Sequence, residues 1–197
     1  MKIAAVIPTR FYPPELVPLT DMLQADGVRV ALRDSADYGH RIYNMWNSGL
    51  EGLAGYEYVA ILNDDIRLLP GTLHVMAGVL RGNLEVGIVY PDVRAPFTHL
   101  PDMVALEETE GTWGAGGMTG FCFMFRVLDG LTRFDESYRW WYGDDDFEER
   151  MRLSGRKVCR VVGLPIVHTA DGSAGKVWDE LSPLIAQDRA LWEERHR

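Results

Sequence analysis

The apolar run Tyr58–Leu62 breaks off into the polar triplet Asn63-Asp64-Asp65. Such a run predicts a strand, and open α/β sheets bind their ligands at the carboxyl ends of their strands. Oxygen atoms at that position suit a hard divalent cation, which prefers carboxylates, carbonyls, water and phosphates as ligands. The triplet therefore predicts an edge of a sheet where a cation and a diphosphate bind together.

Strand-like and helix-like segments alternate along the chain, which favours an α/β fold with a mostly parallel central sheet flanked by helices. Strands are predicted at 2–8, 28–32, 56–62, 86–90, 121–125 and 157–162. Helices are predicted from Pro13 to Gly27, along the apolar stripe 42–53, after Pro70-Gly71, up to the C-cap Gly155, and from about 178. With 197 residues, the chain is most simply one domain with a core of its own.

Composition excludes several functions. The formal net charge of -9 argues against a protein that wraps nucleic acid or anionic lipid. Cys122 and Cys159 lack the paired spacing of a zinc site and lie in apolar runs, so buried thiols in a reducing compartment are expected. Neither a signal peptide nor a run of roughly 20 apolar residues is visible, so we expect a cytoplasmic protein without a membrane span.

The second half of the sequence differs from the first. The segment 91–117 is rich in proline, acids and glycine, and it predicts a loop. Further on, Gly143 and three aspartates, Asp144 to Asp146, lead into a short helix. Its acids fall at the N-terminus, where the helix dipole favours them, and two acid–arginine pairs are spaced at i,i+4.

The order of these parts resembles the inverting nucleotide-sugar glycosyltransferases of the GT-A fold, the large family 2 class that includes rhamnosyltransferase-like enzymes. The resemblance spans nearly the whole chain as a single GT-A domain, with a nucleotide-sugar half at 1–90 and an acceptor half at 91–197 that ends in a helix. It rests on these segments: Ile7-Pro8-Thr9, Asp34-Ser35, Asn47-Ser48-Gly49, Asn63-Asp64-Asp65, Leu69–Leu73, Asp144-Asp145-Asp146-Phe147 and Val167-His168.

The resemblance implies a role for each of these positions. Asp144 is the expected catalytic base, and Asn63, Asp65 and His168 are the expected metal site for Mn²⁺ or Mg²⁺. The expected donor-binding residues are Pro8, Thr9, Arg10, Asp34, Asn47, Asp64 and Lys176. The expected acceptor-binding residues are Trp113, Trp140, Trp141, Tyr142, Asp145 and Asp146.

Two positions depart from the family pattern. Asn63 replaces the usual first aspartate of the metal motif, which predicts weak metal binding without the sugar nucleotide. Gly143 replaces the glutamate of the acceptor-side motif, so a supporting carboxylate is missing or is supplied by a neighbour such as Asp145. The chain is also short for this class, which suggests trimmed acceptor-binding elements and leaves room for a partner or an oligomer.

The implied reaction moves a sugar from a UDP-, GDP- or dTDP-linked donor to a hydroxyl acceptor. It needs a base for the acceptor proton and a cation for the departing diphosphate. Two other functions stay open: a nucleotidyltransferase, and a non-catalytic module that binds a sugar nucleotide or a glycan. The sequence leaves undecided which sugar is transferred, and whether the acceptor is a glycan, lipid, protein or nucleobase.

Overall fold

The structure, a computed structural model, describes residues 1–39, 41–110, 118–127, 132–169 and 178–196. The strands are β1 Ile3–Thr9, β2 Arg29–Asp34, β3 Tyr58–Leu62, β4 Ile66–Arg67, β5 Val86–Asp92, β6 Ala105–Glu108, β7 Cys122–Arg126, β8 Lys157–Pro165 and β9 Val167–His168. The helices are α1 Leu16–Ala25, α2 Ile42–Glu51, α3 Thr72–Gly82, α4 Gly143–Leu153 and α5 Trp178–Arg195. Two expected site residues, Trp113 and Lys176, lie outside the described residues.

Seven strands form the central sheet in the order β2-β1-β3-β7-β5-β8-β6. Parallel pairing joins β1 to β2, β1 to β3, and β5 to β8, whereas β7 and β6 run antiparallel to their neighbours. Five of the seven strands therefore point the same way, and the predicted α/β class with a mostly parallel sheet is confirmed. The carboxyl ends of β1 and β3 meet the amino end of β7 at one edge of the sheet.

Both faces of the sheet are covered, which explains why its central strands read as continuous apolar runs. One face carries α1 and α3, whose leucines pack on Ala5 and Ile7 of β1. The opposite face carries α2 and α4, whose Trp46 and Phe147 pack against alternate residues of the same strands. The predicted stripe 42–53 is therefore the face with which α2 contacts the core.

The prediction of a loop over 91–117 was wrong at residues 91–92, which end β5, and at residues 105–108, which form the edge strand β6. Glu107 and Glu108 pair there with Arg160 and Lys157 of β8. Acidic residues are rare in strands, and the segment 105–108 lacks the alternation of apolar and polar residues that predicts a strand. An exposed edge tolerates them because each carboxylate finds a cation on the neighbouring strand.

Two smaller expectations concern the cysteines and the membrane. Cys122 and Cys159 are both buried, free thiols, as the sequence predicted. Among the helices that the structure describes, none has the length and apolar character required to cross a bilayer.

Candidate active site

The polar triplet continues β3 beyond its last apolar residue. The backbone N–H of Asn63 donates to the carbonyl of Phe121 at 2.8 Å, so the chain still runs beside the strand β7 at this point. Asp64 and Asp65 are only 6% and 5% exposed. Two adjacent carboxylates are thus buried at the end of a central strand, and each needs a partner of its own.

Asp64 obtains its partners from the end of β1. The hydroxyl of Thr9 donates to its Oδ2 at 2.7 Å, and the backbone N–H of Arg10 also binds the carboxylate. Burial, with a smaller contribution from the neighbouring charge of Asp65, nevertheless raises the pKa of Asp64 above its usual range. Asp64 therefore ties the first and third strands together at the sheet edge.

Asp65 lies beside His168 because of a short two-stranded sheet, β4 with β9. Ile66 pairs with His168 in this ladder. The backbone N–H and the hydroxyl of Thr169 both donate to the main-chain carbonyl of Asp65, at 3.0 and 2.8 Å. These contacts fix the backbone on both sides and leave the Asp65 carboxylate available.

The Asp65 carboxylate and the His168 imidazole are spaced as two ligands of one cation would be. Oδ1 of Asp65 lies 3.1 Å from Nε2 of His168, yet this buried oxygen has no hydrogen-bond partner among the described residues. Adjacent ligands of an octahedral cation with bonds near 2.1 Å lie roughly 3 Å apart. The ring of Phe121 stacks on the imidazole at 4.3 Å and restricts its orientation. The pair therefore fits the predicted metal ion.

Within the described ranges, no group of three or more histidine, cysteine, aspartate or glutamate side chains is placed to hold a metal. Asn63, the third predicted ligand, is partly exposed directly before the buried pair. Two strong ligands leave most positions of a six-coordinate ion to water and phosphate oxygens. That metal binding is weak without the sugar nucleotide stays a prediction.

Asp144 lies in the first turn of α4, and its carboxylate is bound by a residue of α2, a helix that is distant in sequence. The hydroxyl of Tyr43, on α2, donates to its Oδ1 at 3.0 Å. The same hydroxyl accepts the backbone N–H of Gly143 at 2.9 Å and that of Asp144 at 3.4 Å. The carbonyl of Trp140, at 3.3 Å, is a second and more distant acceptor for its proton. Tyr142, just before α4, has a left-handed backbone with φ of 67°, a strain typical of functional sites.

The same tyrosine explains why residue 143 is a glycine. A Cβ added at Gly143 would lie 2.5 Å from the ring of Tyr43, so a side chain at this position would displace it. The sequence left open whether the supporting carboxylate is missing or is supplied by a neighbour such as Asp145. In the structure the Tyr43 hydroxyl, a phenolic donor rather than an acid, lies against Asp144.

The environment of Asp144 suits a base. Desolvation raises the pKa of Asp144, and the hydrogen bonds from Tyr43 and from nearby backbone N–H groups oppose the rise without cancelling it. The sequence alone leaves open whether the neighbouring acids raise this pKa or the helix N-terminus lowers it. Burial is the largest influence on the pKa of Asp144, and it raises that pKa. A carboxylate with a raised pKa accepts a proton more readily than an ordinary aspartate.

Residues 120 and 121 connect the two acidic sites. A Cβ added at Gly120 would overlap the carboxylate of Asp144, so Gly120 packs directly against that side chain. Its neighbour Phe121 stacks on His168. One pair of consecutive residues thus contacts both sites, and Asp65 and Asp144 lie at the same edge of the sheet.

The predicted acceptor residues 140–142 are positioned by an acid that the sequence did not reveal. Asp188 of α5, only 2% exposed, accepts the consecutive backbone N–H groups of Arg139, Trp140 and Trp141 at 2.7 to 3.1 Å. Tyr142 also stacks on Trp192 of the same helix, at 6.0 Å between ring centroids. The terminal helix therefore holds the segment that precedes Asp144.

Replacing Asp188 by alanine should destabilise the protein by about 3 kcal/mol, because three backbone N–H groups would lose a charged acceptor. Urea unfolding measures this change. The matched control is Glu194→Ala on the exposed side of α5, which should change stability by less than about 0.5 kcal/mol. Equal stability of the two variants would contradict the positioning role of Asp188.

Several other predicted residues have different surroundings. Asp146 is buried and pairs with Arg150 at 2.7 Å, the i,i+4 pair expected from the sequence. Asn47 donates from its amide to the carbonyl of Phe134 and to Glu136, and its oxygen accepts the Phe134 N–H. Both side chains are committed to internal bonds, so we leave Asp146 and Asn47 out of the proposed site.

Residues near β1 and β2 form the remaining donor-side group. Pro8 is buried within β1 beside Thr9. Asp34 accepts the hydroxyl of Tyr12 at 2.7 Å and the backbone N–H of Ala36 at 2.9 Å. These bonds lower the pKa of Asp34, so it is ionised at neutral pH.

Arg10 brings positive charge to the end of β1. Its Nη2 pairs with Glu180 of α5 at 2.9 Å. Its buried Nη1 has no hydrogen-bond partner within the part of the chain that the structure describes. A guanidinium with an unused buried donor can bind an anionic oxygen.

Solved structures with a similar fold include three glycosyltransferases. A mannosyltransferase from Pyrobaculum calidifontis, in complex with GDP-Man and Mn²⁺, matches with a TM-score of 0.65 and 15% identity over 90% of this chain and 59% of that chain. Glucosyl-3-phosphoglycerate synthase from Mycobacterium tuberculosis, in complex with Mn²⁺, UDP and phosphoglyceric acid, matches with a TM-score of 0.59 and 13% identity over 98% of this chain and 78% of that chain. A Drosophila galactosyltransferase, in complex with manganese, UDP-Gal and xylobiose, matches with a TM-score of 0.56 and 19% identity over 86% of this chain and 71% of that chain.

The TM-scores show a shared fold, and identities of 13 to 19% show the fold alone. The predicted GT-A fold is confirmed. The chain spans 59% of the mannosyltransferase and more than two thirds of the other two proteins. No protein-family model and no curated protein matches the sequence.

Proposed function

We propose that this protein is a metal-dependent glycosyltransferase that moves a sugar from a nucleoside diphosphate to a hydroxyl acceptor, with inversion at the anomeric carbon. The observation that carries the proposal is the joint placement of the Asp65–His168 pair and of Asp144 at one sheet edge, connected by Gly120 and Phe121. The fold, shared with three enzymes that use such donors or their nucleotides, supports the same function.

Asp144 is the proposed base. Its carboxylate takes the proton of the acceptor hydroxyl while the acceptor oxygen forms a bond to the anomeric carbon. The bond between that carbon and the diphosphate oxygen breaks at the same time, and its electron pair leaves with the diphosphate. Attack opposite to the leaving group inverts the anomeric centre, and the raised pKa of Asp144 favours its acceptance of the proton.

Asp65 and His168 would hold the cation, with Asn63 beside them. A bound divalent ion neutralises the charge that develops on the departing diphosphate. The carboxylate–imidazole pair favours Mn²⁺ over Mg²⁺, since Mg²⁺ prefers a shell made of oxygen ligands.

Donor binding is assigned to the end of β1 and the turn after β2. Arg10 would direct its unpartnered Nη1 at a phosphate oxygen. Thr9 holds Asp64, and we assign to Asp34 the role of accepting a hydrogen bond from the nucleobase. Lys176 stays a donor-side proposal from the sequence. UDP and GDP are the nucleotides to test first, because the similar structures contain them.

Acceptor binding is assigned to the segment before α4. Trp140, Trp141 and Tyr142 precede Gly143 and Asp144 in the chain, and Trp141 is 42% exposed. Aromatic faces of this kind suit the apolar faces of a sugar ring. Asp145, partly exposed beside the base, and Trp113 complete the proposed acceptor group.

A thermal-shift screen tests the donor assignment. UDP, GDP, dTDP and their sugars are each added with and without Mn²⁺. A ligand present at 100 times its Kd should stabilise the folded state by about 2.7 kcal/mol, which corresponds to roughly 5 to 10 °C for a chain of this size. We expect one nucleotide to shift the melting temperature only when Mn²⁺ is present. If no nucleotide shifts it under either condition, the donor assignment is wrong.

A further inference from the structure

The ring of Tyr43 is held rigidly inside the core. It is 1% exposed, it packs edge-on against Trp46 at 5.0 Å, and it stacks with Phe134 at 6.2 Å. A ring fixed by two aromatic neighbours gives its hydroxyl a fixed position. That position is directly below the N-terminus of α4, where Asp144 begins the proposed catalytic segment.

The Tyr43 hydroxyl supplies the hydrogen-bond acceptor that the N–H groups at the start of α4 lack. The first N–H groups of a helix have no intrahelical acceptor, and Tyr142, the N-cap residue, makes no side-chain capping bond. The hydroxyl accepts the N–H of Gly143 and of Asp144 and donates to the Asp144 carboxylate. A donor that also accepts two bonds is polarised and donates more strongly.

We propose that Tyr43 is the positioning residue of the base: its hydroxyl fixes the Asp144 carboxylate and the helix start that carries it, and Gly143 is glycine because this ring occupies the adjoining space. The inference rests on the proposed function. It adds to the site a residue on α2, 101 positions away from Asp144 in the chain.

Among the residues that the structure describes, titratable side chains on α2 and α4 lie beside Asp144. Tyr43 contacts it from α2, and Glu148, paired with Arg152 at 2.6 Å, lies one turn further along α4. Asp145 follows it in the chain. A change confined to the Tyr43 hydroxyl therefore alters one donor and leaves the neighbouring charges in place.

The test compares Tyr43→Phe with wild type in two measurements. The first is hydrolysis of UDP-galactose and GDP-mannose with Mn²⁺ across a pH series. Without the hydroxyl the ionised carboxylate loses a donor, so its pKa rises and the acid limb of the kcat profile moves to higher pH. We also expect kcat at the plateau to fall roughly tenfold with little change in the donor KM, because the base is less well aligned.

The second measurement is the titration of the Asp144 carboxyl carbon by ¹³C NMR, which needs no activity. The pKa of Asp144 should be higher in Tyr43→Phe than in wild type. If wild type turns over neither donor, the proposed function fails, but this titration still decides whether Tyr43 controls the carboxyl group.

Tyr38→Phe is the matched control, since its hydroxyl bonds to Ser48 at 2.7 Å. It should leave both the pH profile and the Asp144 titration unchanged. Replacing Tyr43 by 3-fluorotyrosine keeps the hydroxyl and makes it a stronger donor, so this variant should lower the pKa of Asp144. It serves as the test if the phenylalanine variant does not fold. Unchanged titration of Asp144 in the Tyr43 variants, or equal shifts in Tyr38→Phe, would overturn the proposal.

Discussion

Asp144→Asn is expected to lower donor turnover by at least about 100-fold, because an amide cannot take up the acceptor proton and general bases contribute 10² to 10⁴-fold. Binding of the nucleoside diphosphate should persist, since the Asp65–His168 pair is untouched. The measurement is hydrolysis of UDP-galactose and GDP-mannose with Mn²⁺, together with the nucleotide-induced thermal shift.

The expected pH dependence of wild type follows from the same carboxylate. Asp144 must be ionised to act as a base, and burial raises its pKa. Activity should therefore fall with decreasing pH at a value above the ordinary range of aspartate. Glu149→Gln, on the same helix, is the control that should retain full turnover. Wild-type turnover in Asp144→Asn would show that another group removes the proton.

Asp65→Ala is expected to abolish the Mn²⁺-dependent stabilisation by nucleoside diphosphate, a loss of about 2.7 kcal/mol at 100 times the wild-type Kd. The fold should survive, because Thr169 bonds to the backbone carbonyl of Asp65 and not to its side chain. Removing a buried carboxylate oxygen that lacks a hydrogen-bond partner in the described part of the chain also relieves an unfavourable burial.

The measurement is the melting temperature with nucleotide, in the presence and absence of Mn²⁺. Asp102→Ala, which removes an exposed acid outside the proposed site, should keep the full metal-dependent shift. An undiminished shift in Asp65→Ala would place the cation elsewhere.

The fold was predictable because its central strands and helices carry their patterns locally. The apolar run 58–62 is sufficient to identify a buried strand, and the apolar stripe 42–53 is sufficient to identify an amphipathic helix. The end of β3 also pointed to Asp65, and the acidic start of α4 pointed to Asp144. The short ladder that joins Ile66 to His168 has two residues in each strand, too few for a periodic signal.

The parts of the site that the sequence did not reveal depend on contacts between distant segments. Tyr43 reads as one aromatic residue on the apolar face of α2, and only packing brings its hydroxyl to Asp144. Asp188 reads as one acid among several in α5. Its burial, and its three backbone partners, exist only once the helix docks on residues 139–141.

The proposed reaction requires a single donor that spans both acidic sites, with its diphosphate at Asp65 and its sugar facing Asp144. A crystal structure with Mn²⁺ and a non-hydrolysable analogue of the donor selected by the thermal-shift screen tests this directly. We predict an anomalous manganese peak in contact with Asp65 Oδ1 and His168 Nε2, and an anomeric carbon that faces the Asp144 carboxylate. An ordered analogue whose metal lies away from Asp65, or whose sugar points away from Asp144, would contradict the account.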